Sequence, residues 1–218
     1  MDNVVIESFI AHCDEMMIAE EGFGDKVLSM TKKAIQNILD TIREIIQKIM
    51  SLLKLDKGDK VSKKAYNAYK KAISEYENLL KEADDAISDV SSKIKIVGSR
   101  GINLTSILSI GSKVFPISDE FSKIIRSLES NEEKDLVSLN KNYLMRQVSF
   151  YEAAAKKEAK EVDTWNVDNL KSLDMEYEEK KNYCSLMRRL FMEKCSIYLE
   201  MLKVTHILIS SIDNGNLK

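Results

Sequence analysis

The sequence predicts an all-α protein, built as an elongated helical bundle or as long antiparallel helical hairpins. Apolar side chains recur every three or four residues over several long segments, which is typical of amphipathic helices. The chain of 218 residues contains one Pro and seven Gly, so few residues interrupt these segments. With 44% hydrophobic and 31% charged residues, the composition is typical of globular or coiled proteins and not of disordered ones.

A short N-terminal helix is predicted to precede the main body of the protein. Its apolar face consists of Val5, Ile6, Phe9, Ile10, Cys13, Met16 and Met17. Gly22 and Gly24 interrupt the pattern, and Asp25 is suited to cap the next helix. We therefore divide the chain into an N-terminal helix, residues 1–20, and a helical body, residues 21–218.

The body is predicted to open with two long helices, at 25–54 and at about 60–97. An irregular region at about 97–118 follows, because it holds three of the glycines and the single proline, Pro116. We expect a loop there, with a short helix at 103–110.

A brief helix is predicted at 119–128, with Ser118 as its N-cap. Beyond it, the sequence SNEEKD resembles a capped helix start. The apolar pattern then predicts two long helices between 132 and 212, or one helix interrupted near 163–168.

The sequence contains few residues that could form a catalytic or metal site. Neither His12 nor His206 has a partner at ligand spacing, so we expect both to be packed side chains. Cys184 and Cys195 would lie roughly 16 Å apart on one helix, too far for a disulfide, and we expect buried free thiols. We therefore predict a protein without cofactor or bound metal, and we rank an enzyme with a dispersed site last.

The predicted helix at 25–54 allows two interpretations. It is basic, with six Lys or Arg against three Asp or Glu, and it carries an isoleucine-rich face. This face, a possible membrane or partner surface, consists of Ile35, Ile38, Ile42, Ile45 and Ile49. A basic amphipathic helix can lie on a membrane. We favour the interpretation that this face is the core of the bundle, because the other helices have matching apolar faces.

Charge divides the chain at the end of the N-terminal helix. Residues 1–20 contain five acidic and no basic residues, a net charge of −5. The remainder holds all 33 basic and 30 of the 35 acidic residues, a net charge of +3. A cut after Glu20 would therefore convert an acidic chain into a basic one, which suits surroundings rich in nucleic-acid phosphate.

The segment MDNVVIESFIAHCDEMMIAEEGF resembles the head-targeting propeptides of internal proteins in large tailed bacteriophages. The resemblance implies that the segment directs the chain into the prohead and that a prohead protease cuts after Glu in an Ile/Leu-x-Glu pattern. Ile18, Ala19 and Glu20 match that pattern, with Glu21 following the cut. Three other matches end at Glu44, Glu75 and Glu82, inside predicted helices.

The sequence thus favours a non-enzymatic internal virion protein located in the capsid interior, and in the host cytoplasm before packaging and after ejection. The resemblance implies prohead or capsid proteins and the prohead protease as partners. Packaged DNA, bound non-specifically, and a host protein are further candidates. The alternatives are a helical adaptor that docks a partner through the N-terminal helix, and a membrane-surface protein using the helix at 25–54.

Overall fold

The computed structural model describes residues 24–54, 58–94, 104–129 and 135–212. Within these ranges the α-helices are α1 (Gly24–Lys54), α2 (Lys63–Ile94), α3 (Leu104–Glu129), α4 (Lys141–Thr164) and α5 (Tyr177–Ser210). The predicted helix at 1–20 and the predicted cleavage residues Ile18, Ala19, Glu20 and Glu21 lie outside the described residues. The all-α fold class is confirmed.

Two short strands join the helices in the described part of the chain. Strand β1 (Lys60–Ser62) pairs antiparallel with β2 (Leu136–Ser138), and Val61 lies opposite Val137. The predictions of helix from residue 60 and from residue 132 are therefore wrong over these strands. Val61 is fully buried, and the ladder hydrogen bonds between two distant segments stabilise an extended backbone that local spacing does not reveal. Helix α4 begins later, after Asn140.

The predicted loop at about 97–118 is wrong over residues 111–118, while the short helix predicted at 103–110 and the brief helix predicted at 119–128 both lie within one longer helix. Helix α3 is continuous from Leu104 to Glu129 and passes through Pro116, so Ser118 lies inside it and is not an N-cap. A proline inside a helix costs about 3 kcal/mol. The buried apolar side chains of α3 each contribute about 1.5–3 kcal/mol, which outweighs this cost. They are Ile110, Val114, Phe121 and Ile125.

Two antiparallel hairpins contribute part of the packing. In the first, the Tyr76 hydroxyl of α2 donates to the Val114 carbonyl of α3 at 3.2 Å, and Lys113 of α3 pairs with Glu82 of α2 at 2.8 Å. The second consists of α4 and α5, which a short 3-10 helix (Val167–Leu170) connects. The predicted interruption near 163–168 is confirmed, since α4 ends at Thr164.

Helix α5 is the centre of the fold. Each of the other four helices packs against it, and it has buried residues on all of its faces. It runs antiparallel to α2, because Lys194 contacts Asp84 while Tyr69 lies beside Thr205. Because α5 has no solvent-exposed face along much of its length, its polar side chains are held within the protein.

Candidate functional site

The isoleucine face of α1 lies in the protein core. None of its five residues is more than 9% exposed, and Ile42 and Ile49 are fully buried. The helix packs on α5 and α4, so α1 would have to detach from both before this face could contact a membrane or another protein.

A polar groove opens between α1, α3 and α5, with a volume of about 540 Å³. Its wall is formed by Ile45, Ser118, Asp119, Ser122, Lys123, Arg126, Glu200, Lys203, His206 and Ile207. The volume lies within the range of small-molecule sites. The lining differs from most such sites because charged residues of both signs predominate.

Glu200 is the buried charge of this groove. Its side chain is 1% exposed, and Oε1 accepts a hydrogen bond from the Lys203 ammonium. Oε2 accepts none from the described residues. Burial raises the pKa of the neighbouring Tyr76, and the negative charge of Glu200 raises it further. The Lys203 ammonium is therefore the cation that contacts this buried carboxylate among the described residues.

The groove shows no activated nucleophile among these residues. The Ser118 and Ser122 hydroxyls donate to carbonyls of their own helix, those of Phe115 and Ser118, at 3.0 and 2.8 Å. His206 is half-buried, and burial followed by repulsion from Lys48 lowers the pKa of its imidazole. Among the described residues, no hydrogen bond links the His206 imidazole to the hydroxyl of Ser118 or Ser122, so the groove shows no paired nucleophile and base.

The two described cysteines are buried free thiols, as the sequence predicts. Burial raises the pKa of Cys184 and raises that of Cys195 to about 12. The Cys195 thiol donates to the Ala155 carbonyl at 3.5 Å. Because the thiolate is the reactive form, neither group is activated for nucleophilic chemistry.

A second surface feature lies on the outer side of α4 and is not among the predictions from the sequence. We name it the α4 stripe: the exposed residues Tyr143, Arg146, Phe150, Ala153, Lys157 and Lys160. Tyr143 is 54% and Phe150 61% exposed, values unusual for large hydrophobic residues. The three- and four-residue spacing of this set is visible in the sequence. The core face of the same helix, which includes Leu144, Val148 and Tyr151, dominates the pattern.

The competing cleavage motifs all lie within helices. Glu44 lies in the middle of α1, and Glu75 and Glu82 lie in α2. The residue two places before Glu44, Ile42, is fully buried. Proteases bind extended substrate, so cleavage at any of these positions requires local unfolding.

Within the described ranges, no group of three or more His, Cys, Asp or Glu side chains could hold a metal ion. Likewise, none of the helices described is long and apolar enough to span a bilayer. No protein-family model matches the chain, and neither a curated protein nor a solved structure is significantly similar to it.

Proposed function

We propose that the chain is a non-enzymatic internal head protein of a large tailed bacteriophage. Residues 1–20 direct it into the prohead, and the prohead protease removes them by cutting after Glu20. The helical body then remains in the capsid interior, where its net charge of +3 favours weak, non-specific contact with packaged DNA. Ejection with the DNA would give the body access to a host protein.

One observation carries this proposal: Ile18-Ala19-Glu20 matches the protease pattern at the end of the acidic segment, directly before Gly22 and Gly24. Only three residues separate Glu20 from Gly24, where α1 begins. A cut there leaves all the helices and all the core contacts described above intact. The same pattern at Glu44, Glu75 and Glu82 would require cutting through α1 or α2.

Intact-mass analysis of protein from mature particles tests the proposal. We expect the wild-type chain to begin at Glu21 and the Glu20→Ala chain to be packaged at full length. Glu44→Ala is the matched control, because Glu44 is exposed, ends the same motif and lies in a helix; its processing should equal the wild type's.

A chain lacking residues 1–20 should fold but be missing from particles. A virion protein that begins at Met1 or Asp2 would contradict the cleavage. If the uncut chain were found only outside particles, bound to a protein partner, the adaptor function would replace the head protein.

A further inference from the structure

The polar groove between α1, α3 and α5 has an acidic end and a basic end. Helices α3 and α5 both run antiparallel to α2, so they run parallel to each other. In chain order the charged and imidazole side chains that line the groove are Asp119, Lys123 and Arg126 on α3, and Glu200, Lys203 and His206 on α5. On both helices the acidic residue therefore comes first, and the basic end follows six or seven residues later, about 10 Å along the axis.

The acidic end holds a buried acceptor that lacks a donor. Glu200 is 1% exposed, and Oε1 is occupied by Lys203, while Oε2 accepts no hydrogen bond from the described residues. Buried acceptors in proteins nearly always have a donor, so a donor on a bound molecule would complete this end. Asp119, which is exposed, adds a second carboxylate there. Two carboxylates favour a charged donor, such as an ammonium group, over a neutral hydroxyl.

The basic end has the composition of an anion site. Lys123 and Arg126 are exposed, line the groove and form no ion pair with the described residues. Lys113 of the same helix lies outside the groove and, by contrast, pairs with Glu82 at 2.8 Å. His206 is half-buried at this end of the groove. Lysine and arginine are both common ligands of phosphate groups in proteins.

Charge and length narrow the class of ligand. Three cations and two carboxylates line the groove, a net charge of +1 with a neutral imidazole. A molecule with one ammonium group and one phosphomonoester has the opposite net charge, about −0.5 to −1, because the monoester carries about −1.5 to −2. The ends lie about 10 Å apart and each hydrogen bond takes about 3 Å, which leaves about 4 Å between the charged groups of the ligand. A two- or three-carbon chain spans this distance, and Ile45 and Ile207 provide apolar surface in the groove.

We propose that the groove binds a small aminoalkyl phosphate. The ammonium group of the ligand donates to Oε2 of Glu200 and lies near Asp119. Its phosphate lies between Lys123 and Arg126. The ion pair between Glu200 and Lys203 stays in place and holds the carboxylate. This inference concerns the helical body alone, so it is independent of cleavage after Glu20.

Titration of the full chain with phosphoethanolamine, followed by NMR of the histidine rings, tests the proposal. The chain contains two histidines, and a His206→Gln chain identifies the signals of His206. Burial and repulsion from Lys48 lower the pKa of this imidazole. A bound phosphate should raise that pKa by about one pH unit, because a nearby anion stabilises the imidazolium.

Two truncated probes separate the ends of the groove. Ethyl phosphate lacks the ammonium group and should bind at least about tenfold more weakly than phosphoethanolamine, because a charged hydrogen bond is lost. Ethanolamine lacks the phosphate and should leave the His206 signals unchanged. Glycerophosphoethanolamine, a diester with the structure of a lipid headgroup, should also bind more weakly, since its phosphate carries less negative charge.

Substitutions at the basic end should reduce the affinity for both phosphate probes. We expect Lys123→Gln with Arg126→Gln to weaken the binding of phosphoethanolamine at least about tenfold. The matched control is Lys157→Gln with Lys160→Gln, which removes the same charge from exposed lysines of the α4 stripe. This control should leave the affinity unchanged.

Substitutions at the acidic end should act on one probe only. Glu200→Gln and Asp119→Asn should each weaken the binding of phosphoethanolamine and should not weaken that of ethyl phosphate. Retained binding of ethyl phosphate also shows that the variant is folded. Asp119 is exposed, so its variant keeps the comparison possible if the buried Glu200 is needed for folding.

Five results would overturn the proposal. Equal affinities for ethyl phosphate and phosphoethanolamine would make the groove a plain phosphate site. Ethanolamine bound as tightly as phosphoethanolamine would make it a cation site. Tighter binding of the diester would assign it to a lipid headgroup. His206 signals that no probe shifts, or an affinity that Lys123→Gln with Arg126→Gln leaves unchanged, would exclude binding in the groove. Cleavage after Glu20 is measured separately, so none of these results bears on the proposed function.

Discussion

At the scale of single residues, Gly111 marks a close approach of α3 to α5. A Cβ added at this position would lie 2.7 Å from Oε1 of Glu193 on α5. The Glu193 carboxylate is buried, and Arg189 lies 3.7 Å from it, Nε to Oε1. The carboxylate therefore has little room to move away, and α3 can approach α5 closely because this residue has no side chain.

We predict that Gly111→Ala destabilises the protein by about 1–3 kcal/mol, as overpacking of a closed contact does. Helix propensity alone predicts the opposite sign, a gain of about 1 kcal/mol. Urea denaturation monitored by circular dichroism gives the free energy of unfolding. The sign of its change distinguishes the overpacking prediction from the helix-propensity prediction. The control is Ser112→Ala at the neighbouring exposed position. A Gly111→Ala protein as stable as the wild type would contradict the prediction and would mean that the Glu193 side chain rearranges freely.

At the scale of elements, one buried lysine joins three helices. Lys194 of α5 contacts Asp84 of α2 at 2.7 Å and Glu158 of α4 at 2.8 Å. Burial alone would lower the pKa of Lys194, but its hydrogen bonds to these two carboxylates outweigh burial and raise the pKa above the ordinary value. Glu158 is itself buried, so each of these two charges depends on the other.

We predict that Lys194→Met destabilises the protein by about 3–5 kcal/mol, because it leaves Glu158 buried without its cation. The double substitution Lys194→Met with Glu158→Met should recover most of that loss, since an apolar pair has no charge to desolvate. Lys113→Met removes the half-exposed pair with Glu82 and should cost less than about 1 kcal/mol. Urea denaturation midpoints compare the stabilities of the three variants with that of the wild type. A double variant as unstable as Lys194→Met alone would contradict the prediction.

At the scale of the whole molecule, charge is distributed unevenly along the chain. The first 20 residues carry −5 and the remaining 198 carry +3. Removal of the acidic segment would therefore change the net charge from −2 to +3.

We predict that the cut chain, residues 21–218, binds random-sequence duplex DNA weakly and more tightly than the uncut chain. Fluorescence anisotropy should show binding that falls steeply between about 50 mM and 200 mM salt, because phosphate contacts release counterions. A cut chain with Lys33→Glu, Lys60→Glu and Lys81→Glu should lose the binding, since its net charge becomes −3. Equal affinity of the cut and uncut chains would contradict the prediction.

The sequence by itself determined the fold class and the break between α4 and α5. It also determined helices α1 and α2, except for the first residues of α2. It also indicated that Cys184 and Cys195 are buried. These features depend on apolar spacing within single segments, which is a local property. In α1 and α2 one dominant apolar face points to the interior, so that pattern and burial agree.

Only the tertiary structure decided the remaining features, because each depends on residues far apart in the chain. Helix α3 continues through Pro116 since α2 and α5 bury its apolar face, and Val61 pairs with Val137 across more than seventy residues. The structure likewise leaves Tyr143 and Phe150 of α4 at the surface. Periodicity identifies an apolar face, but only the packing of the other helices decides whether that face is covered.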